Sequence, residues 1–283
     1  MKKIAPRPYK NQEKKTKFLI SLFQVTFFSI LIIETHFYQP KKSIMLKKVA
    51  LEKILFLDIE TAPLVYKFKD LDEKGKELFE SKTRFQQKDG KTFDDLYDER
   101  GSIFAEFGKI VCISVGFITN TSTGKQIRMK SFYHDDEEIL LKQFSGLLNE
   151  HYNSPTSILC GHNAKEFDFP YICRRMLING LELPDTLNIA GKKPWEISHL
   201  DTMELWKFGD FKAYTSLALL CHVFNIPTPK DDISGADVAR VYYEENGLER
   251  IKVYCEKDVV ALIQLFLKMR GDALVDDSEI HFS

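Results

Sequence analysis

Three short stretches of this chain carry acids where acids are costly to keep. Asp58 and Glu60 follow the apolar run 54–57 in LFLDIETAP. Two apart on a strand, their side chains point to one face. Carboxylates facing one way beyond four apolar residues repel each other unless a cation lies between them. Asp168 ends the stretch GHNAKEFD, where an apolar segment closes in Gly161 and a helical pattern begins. There it either complements a helix dipole, worth about 0.3–1 kcal/mol, or joins the first two acids in the crevice at the carboxyl ends of the strands, where α/β sheets collect ligands. Tyr254 and Asp258 are four apart on one face of a helical stripe that is otherwise apolar from Ile251 to Leu262. An acid is misplaced there unless the tyrosine hydroxyl or a cation compensates it. Glu256, two positions after Tyr254, faces away from it on a helix.

Singly, these acids read as a strand end, a helix cap and a polar core pair. Together they are the set that phosphodiester hydrolysis with two hard cations requires, several carboxylates converging from different elements. Mg²⁺ takes oxygen ligands and keeps waters, and two ions about 3.5–4 Å apart activate an attacking water and stabilise the leaving oxygen. Other polar residues suit bland roles. Asp201-Thr-Met-Glu204 has the spacing of a helix N-cap with its reciprocal acid. Lys230, before Asp231, Asp232 and the turn at Gly235, reads as a solvated lysine within reach of a phosphate. His162 and His199 lack metal-ligand spacing. The five cysteines, Cys112, Cys160, Cys173, Cys221 and Cys255, form no CxxC pair, which argues against a zinc knuckle or disulfide framework and for a reducing compartment.

The elements that must position these residues alternate between strand-like and helix-like patterns, as in an α/β domain. Apolar runs predict strands at 54–57, 110–115, 127–133 and 157–160, the second and third joined by a turn at 121–124. A 3.6-residue period predicts helices after Asp135 and Asp136 and at 167–178, 215–224, 235–246 and 249–270. Residues 66–106, rich in Lys, Asp and Glu with few apolar positions, read as an excursion over the sheet edge. Such a segment is either a solvated surface element or a flap beside the first acidic motif.

At 283 residues and 44% apolar, the chain can bury a sizeable core. The net charge of −1 hides an asymmetry: residues 1–44 hold nine Lys/Arg against Glu13 and Glu34, leaving 31 basic and 39 acidic residues, net −8, from Met45 onward. A protein that grips nucleic acid mainly through phosphates carries a basic surplus; here metals and a local patch must compensate charge. The run FLISLFQVTFFSILII at 18–33, behind a basic leader, has the pattern of a signal sequence or short anchor. It is shorter than the roughly 20 apolar residues of a full span, and the bulky residues 34–38 offer no small-residue cleavage site. Residues 1–44 are therefore read as a leader or a misplaced start before Met45, with membrane anchoring as the minority alternative to a cytoplasmic protein.

The ordered set Asp-x-Glu, Asn-x-x-x-Phe-Asp and Tyr-x-x-x-Asp resembles the DEDD exonucleases with a tyrosine in the third motif. The surrounding FLDIETAP, FGKIVCISVGF, GHNAKEFDFPYICRRM, HLDTMELWKFG and YCEKDVVALIQLF are similar to stand-alone exonucleases related to the proofreading domain of family B DNA polymerases, over about residues 55–266. The resemblance implies a ribonuclease H-like fold, a central mixed sheet flanked by helices, in an exonuclease domain spanning 45–283. It implies a 3′–5′ exonuclease in which Asp58, Glu60, Asp168 and Asp258 bind two divalent cations, Mg²⁺ or Mn²⁺. Tyr254 orients the attacking water, while Thr61, Asn163 and Phe167 line the channel for the last nucleotides. The expected partner is a single-stranded 3′ end, DNA favoured, supplied from elsewhere because the chain leaves no room for a polymerase domain after Phe266. The alternative is an inactive nucleic-acid or partner-binding module of the same fold.

Overall fold

The computed structural model describes residues 44–283 apart from 89, 123, 211, 213 and 228–232. Lys230 and the apolar run at 18–33 lie outside the described residues. No described helix is long and apolar enough to cross a membrane.

The central strand β1 (Ile54–Pro63) is apolar on both faces at its start because both faces are covered. It pairs in parallel with β4 (Ile158–Gly161) and antiparallel with β2 (Gly108–Asn120). β2 continues into the antiparallel partner β3 (Lys125–Tyr133). β5 (Leu200–Asp201) extends the sheet parallel to β4, and β6 (Ile280–Phe282) runs parallel to β3, giving the order β5-β4-β1-β2-β3-β6.

Alternation along β1 sorts the core into two layers. Leu55, Leu57 and Ile59 pack with Ile113 and Val115 beneath α3 (Glu137–His151) and α4 (Asp168–Ile178). Ile54 and Phe56 pack on the other face with Val259, Leu262 and Phe266 of the long helix α8 (Leu248–Arg270). Between α4 and α8 come α5 (Thr202–Lys207), α6 (Leu217–Val223) and α7 (Val238–Glu244). This mixed sheet between helix layers is the α/β, ribonuclease H-like architecture expected from the motifs.

The excursion lies between β1 and β2 in the chain. It folds into α1 (Glu73–Thr83) and α2 (Phe93–Arg100), with Asp72 capping the first and a reciprocal Thr92–Asp95 box capping the second. Its aromatic residues build a separate small core in which Phe79 lies edge-on to both Tyr97 and Phe107, centroids 5.1 Å apart in each pair. The Tyr97 hydroxyl donates to Val65 O at 3.0 Å and the Tyr171 hydroxyl of α4 donates to Ser102 O at 2.8 Å, tying the excursion to the domain. Its aromatics are scattered at irregular intervals, so no periodic signal announces the cluster.

Candidate active site

Strand β1 runs through Pro63, so Asp58 and Glu60 lie within it, directly across from Ser114 and Cys112 of β2. The strand-end placement expected from the sequence is thus revised: pairing with β2 carries the ladder beyond the acids. Both side chains project to the face covered by α8, the same face as Phe56. After Glu60 the register slips, with Thr61 opposite Ile110, and Val111 is the extra residue of a bulge. Bulges re-aim side chains next to sites of this kind. The Thr61 hydroxyl hydrogen-bonds the Tyr171 phenol.

The second motif is shaped by a tight passage from β4 into α4. A Cβ at Gly161 would come within 2.3 Å of Ala164 Cβ, so only glycine fits there. Asn163 adopts a left-handed backbone, φ 62°, which asparagine tolerates better than most residues. Its amide and that of Lys165 donate to the Asp201 carboxylate at 3.0 and 3.1 Å. Asp201 also caps α5, accepting from Met203 N at 2.9 Å. The cap reading of Asp201 therefore describes half of its work; it also clamps the loop that delivers Asp168. Glu204 pairs with Lys165 at 2.8 Å. The Asn163 side-chain oxygen is buried without a hydrogen-bond partner. Phe167 packs at the edge of the core, its ring 5.3 Å from that of Tyr171. His199 is structural: Nδ1 accepts from Leu159 N at 3.2 Å and Nε2 bonds Thr186 O at 2.8 Å.

Helix α8 supplies the third motif from above the sheet. Ile251, Cys255, Val259 and Leu262 face the strands, while Tyr254 and Asp258 stand at the flank of that stripe, half-buried and hydrogen-bonded to each other. Asp258 also bears on the buried thiol of Cys221 in α6, which burial foremost, then this carboxylate, raises to about 11. The Cys255 thiol donates to the main-chain oxygen of Asp58 at 3.5 Å and to its Oδ2 at 3.6 Å. Ligand atoms of Asp58, Glu60 and Cys255 lie within 4.8 Å of one another, a span that a single ion can bridge. Glu256 turns away from Tyr254 as expected, but it is buried: Ser131 Oγ donates to it at 2.8 Å, and Ser114 Oγ lies 2.9 Å from Ser131 Oγ. Cys112, Ser114 and Cys255 did not stand out in the sequence reading. Period-two alternation in Cys112-Ile-Ser114 was the signal, because it puts both polar atoms on the face that carries Asp58 and Glu60.

The three motifs thus meet electrostatically. Burial raises the Asp58 carboxyl well above its ordinary range, and Asp168 and Asp258 raise it further. Burial does the same at Glu60, followed by the charges of Asp58 and Asp258. Asp168 is pushed up to about 7 by burial, even though its own amide and that of Ile59 donate to it. Tyr254 is raised by burial, then by Asp258 and Glu60. A buried cluster of like charges that lift one another is unstable as a set of anions and is the donor chemistry of a hard divalent cation.

A linkage prediction follows. Carboxylates whose pKa is higher folded than unfolded bind more protons in the folded state, so stability falls as pH rises from the unfolded value near 4 to the folded value. For Asp168 that window ends at about 7. In chelator, the thermal midpoint is expected to drop between about pH 4 and about pH 7, and millimolar Mg²⁺ or Mn²⁺ should restore it at the upper end. Identical pH profiles with and without the cation would remove the metal argument.

The chain is an α/β, ribonuclease H-like domain with a partly buried acidic pair, Asp58 and Glu60, on its central strand. It belongs to a family described as predicted 3′–5′ exonucleases related to the exonuclease domain of PolB, whose model matches residues 103–276, more than half of the chain. That span includes Asn163, Phe167, Asp168, Tyr254 and Asp258 and begins after Asp58, Glu60 and Thr61. Among solved structures, the chain is similar to the family B DNA polymerase from the hyperthermophilic archaeon Pyrobaculum calidifontis, with 16% identity and a TM-score of 0.45. The match covers 76% of this chain and 24% of the polymerase, so the chain spans about a quarter of that protein's length. No curated protein matches it.

Proposed function

We propose that this chain is a metal-dependent 3′–5′ exonuclease that removes nucleotides from single-stranded 3′ ends, DNA before RNA, by a two-metal mechanism. What supports the reading most is that, after burial, the charges of Asp168 on α4 and Asp258 on α8 raise both Asp58 and Glu60 on β1, with Asp168 itself held above its ordinary pKa. The four carboxylates would hold two divalent ions, Mg²⁺ or Mn²⁺, which when bound activate water and stabilise the leaving oxygen. The net charge of −8 from Met45 onward gives these ions a second role, offsetting the repulsion between the domain and a phosphate backbone.

Each protein group has a part. Tyr254, kept neutral by burial, gives its one O–H proton to Asp258 and keeps its phenolic oxygen as an acceptor able to orient the attacking water. Asn163, whose side-chain oxygen is buried without a hydrogen-bond partner, would shape the wall of the channel for the last nucleotide. Thr61 and Phe167, both in contact with Tyr171, would line the channel for the last nucleotides.

A single-stranded DNA oligonucleotide labelled at its 3′ end is expected to lose the label with Mg²⁺ or Mn²⁺ and keep it in chelator. Label retained under all conditions, with binding indifferent to metal, would replace this reading with the inactive binding module. Tyr254→Phe removes one oriented hydrogen bond, so kcat is expected to fall roughly tenfold with KM little changed. A KM effect alone would instead make Tyr254 a binding residue.

A further inference from the structure

Two aromatic side chains stand in solvent on one loop beside this site. Phe208 and Tyr214 are 84% and 71% exposed, in a segment that leaves α5 and enters α6. Isolated exposed rings are ordinary on protein surfaces. These two differ in backbone cost, anchoring and location.

Phe208 sits in the left-handed region, φ 45°, at the C-cap of α5, with Gly209 next to it. A bulky residue there costs about 1–2 kcal/mol relative to glycine, and strain of this kind collects at functional positions. Burial of the ring does not offset the cost, because the ring is exposed.

The loop stands on a fixed base. Trp206 of α5 meets Phe224 just after α6 edge-on, centroids 5.7 Å apart. Leu220 and Cys221 of α6 pack on Ala261 and Leu265 of α8. His162, held neutral by burial, accepts from Thr202 Oγ1 at Nδ1 (2.8 Å) and donates from Nε2 to Thr215 O (2.9 Å). One imidazole therefore binds the end of the loop to the residue preceding Asn163, while α6 borders Asp258 through Cys221.

The loop also carries Lys212, exposed and without a carboxylate within 4.0 Å among the described residues, although Lys165 and Lys207 nearby are engaged by Glu204 and Glu166. Exposed rings with an exposed cation between them are the chemistry that holds single-stranded nucleic acid, since every base offers a π-face and the backbone a charge. Helix-groove or sheet-edge recognition of a protein needs an apolar groove or an open ladder, and neither belongs to this loop.

We propose that Phe208 and Tyr214, on the connection from α5 to α6, are stacking rings for the bases of the single strand whose 3′ end reaches the carboxylates, with Lys212 against the backbone. This rests on the exonuclease reading above and deepens it. The rings supply affinity without sequence choice, in a domain whose overall charge opposes binding.

The test is steady-state hydrolysis of single-stranded DNA by wild type, Phe208→Gly, Tyr214→Ala and the double variant, together with their thermal midpoints. Loss of one stacked base corresponds to roughly a fivefold to hundredfold change in affinity. Each single variant is expected to raise KM by about that factor with kcat within about twofold, as for interactions shared by ground and transition states. Phe208→Gly is also expected to melt at the wild-type temperature or above it, because glycine relieves the left-handed backbone, and Phe208→Tyr should restore KM.

An unchanged KM in the double variant, with wild type fully active, would overturn the stacking role and leave the exonuclease standing. A Phe208→Gly protein that melts several degrees lower would overturn it too, by making the ring a packing element. Wild type that degrades no oligonucleotide would overturn both readings.

Discussion

Asp258→Ala protein is expected to retain its fold and to release 3′-terminal nucleotides at least roughly 10²–10³-fold more slowly than wild type. Asp258 is the carboxylate of the third motif and acts on both the tyrosine and the acids of β1. It is half-buried at the flank of α8, it accepts from Tyr254, and its charge raises both Asp58 and Glu60. Deleting it takes away a ligand and leaves the tyrosine without its acceptor. In chelator the same deletion relieves like-charge repulsion, so the thermal midpoint of Asp258→Ala is expected to equal or exceed that of wild type at about pH 8. Lost activity with preserved or increased stability is the signature of a functional acid, whereas a structural Tyr–Asp pair would lose stability and keep activity. Turnover within about tenfold of wild type would sink the assignment of Asp258.

Much of this site was legible in the sequence because its geometry is local. Two-residue spacing on a strand put Asp58 and Glu60 on one face, and four-residue spacing on a helix put Tyr254 beside Asp258; no long-range knowledge was needed for either. The strand boundary was not legible. The acids were expected beyond the apolar run, but ladder formation with β2 extends β1 to Pro63, and pairing is decided by a partner some fifty residues away. Asp201 shows the same division. Its cap on α5 follows from its neighbours, whereas its hold on the amides of Asn163 and Lys165 depends on β5 lying next to β4. The aromatic cluster under α1 and α2 was invisible for a related reason, since residues from Phe68 to Phe107 meet only once the excursion has folded.

Glu137 and Arg175 were also silent in the sequence, and they carry the largest expected effect on stability. Both are nearly inaccessible, 6% and 4% exposed. Glu137 opens α3 and accepts from Arg175 Nε at 2.9 Å and Nη2 at 2.5 Å, from Asn179 Nδ2 at 2.9 Å and from the amide of Ile110 at 2.7 Å. Arg175 Nη1 donates to Ala105 O at 2.8 Å. One ion pair therefore joins α3, α4, β2 and the end of the excursion. Removing the arginine leaves a buried, uncompensated carboxylate, so Arg175→Ala is expected to cost about 3–5 kcal/mol, a large share of the roughly 5–15 kcal/mol available to a domain. The midpoint should fall by roughly ten degrees. Replacing both partners, Glu137→Leu with Arg175→Met, removes the orphaned charge together with the pair and is expected to cost markedly less than the single change. Equal losses in the single and double variants would show that the four joined elements, rather than the buried charge, set the penalty. Because α4 begins at Asp168, the single variant is also expected to lose activity at temperatures where its fold is still intact by circular dichroism, as the helix that delivers the third carboxylate loses its anchor.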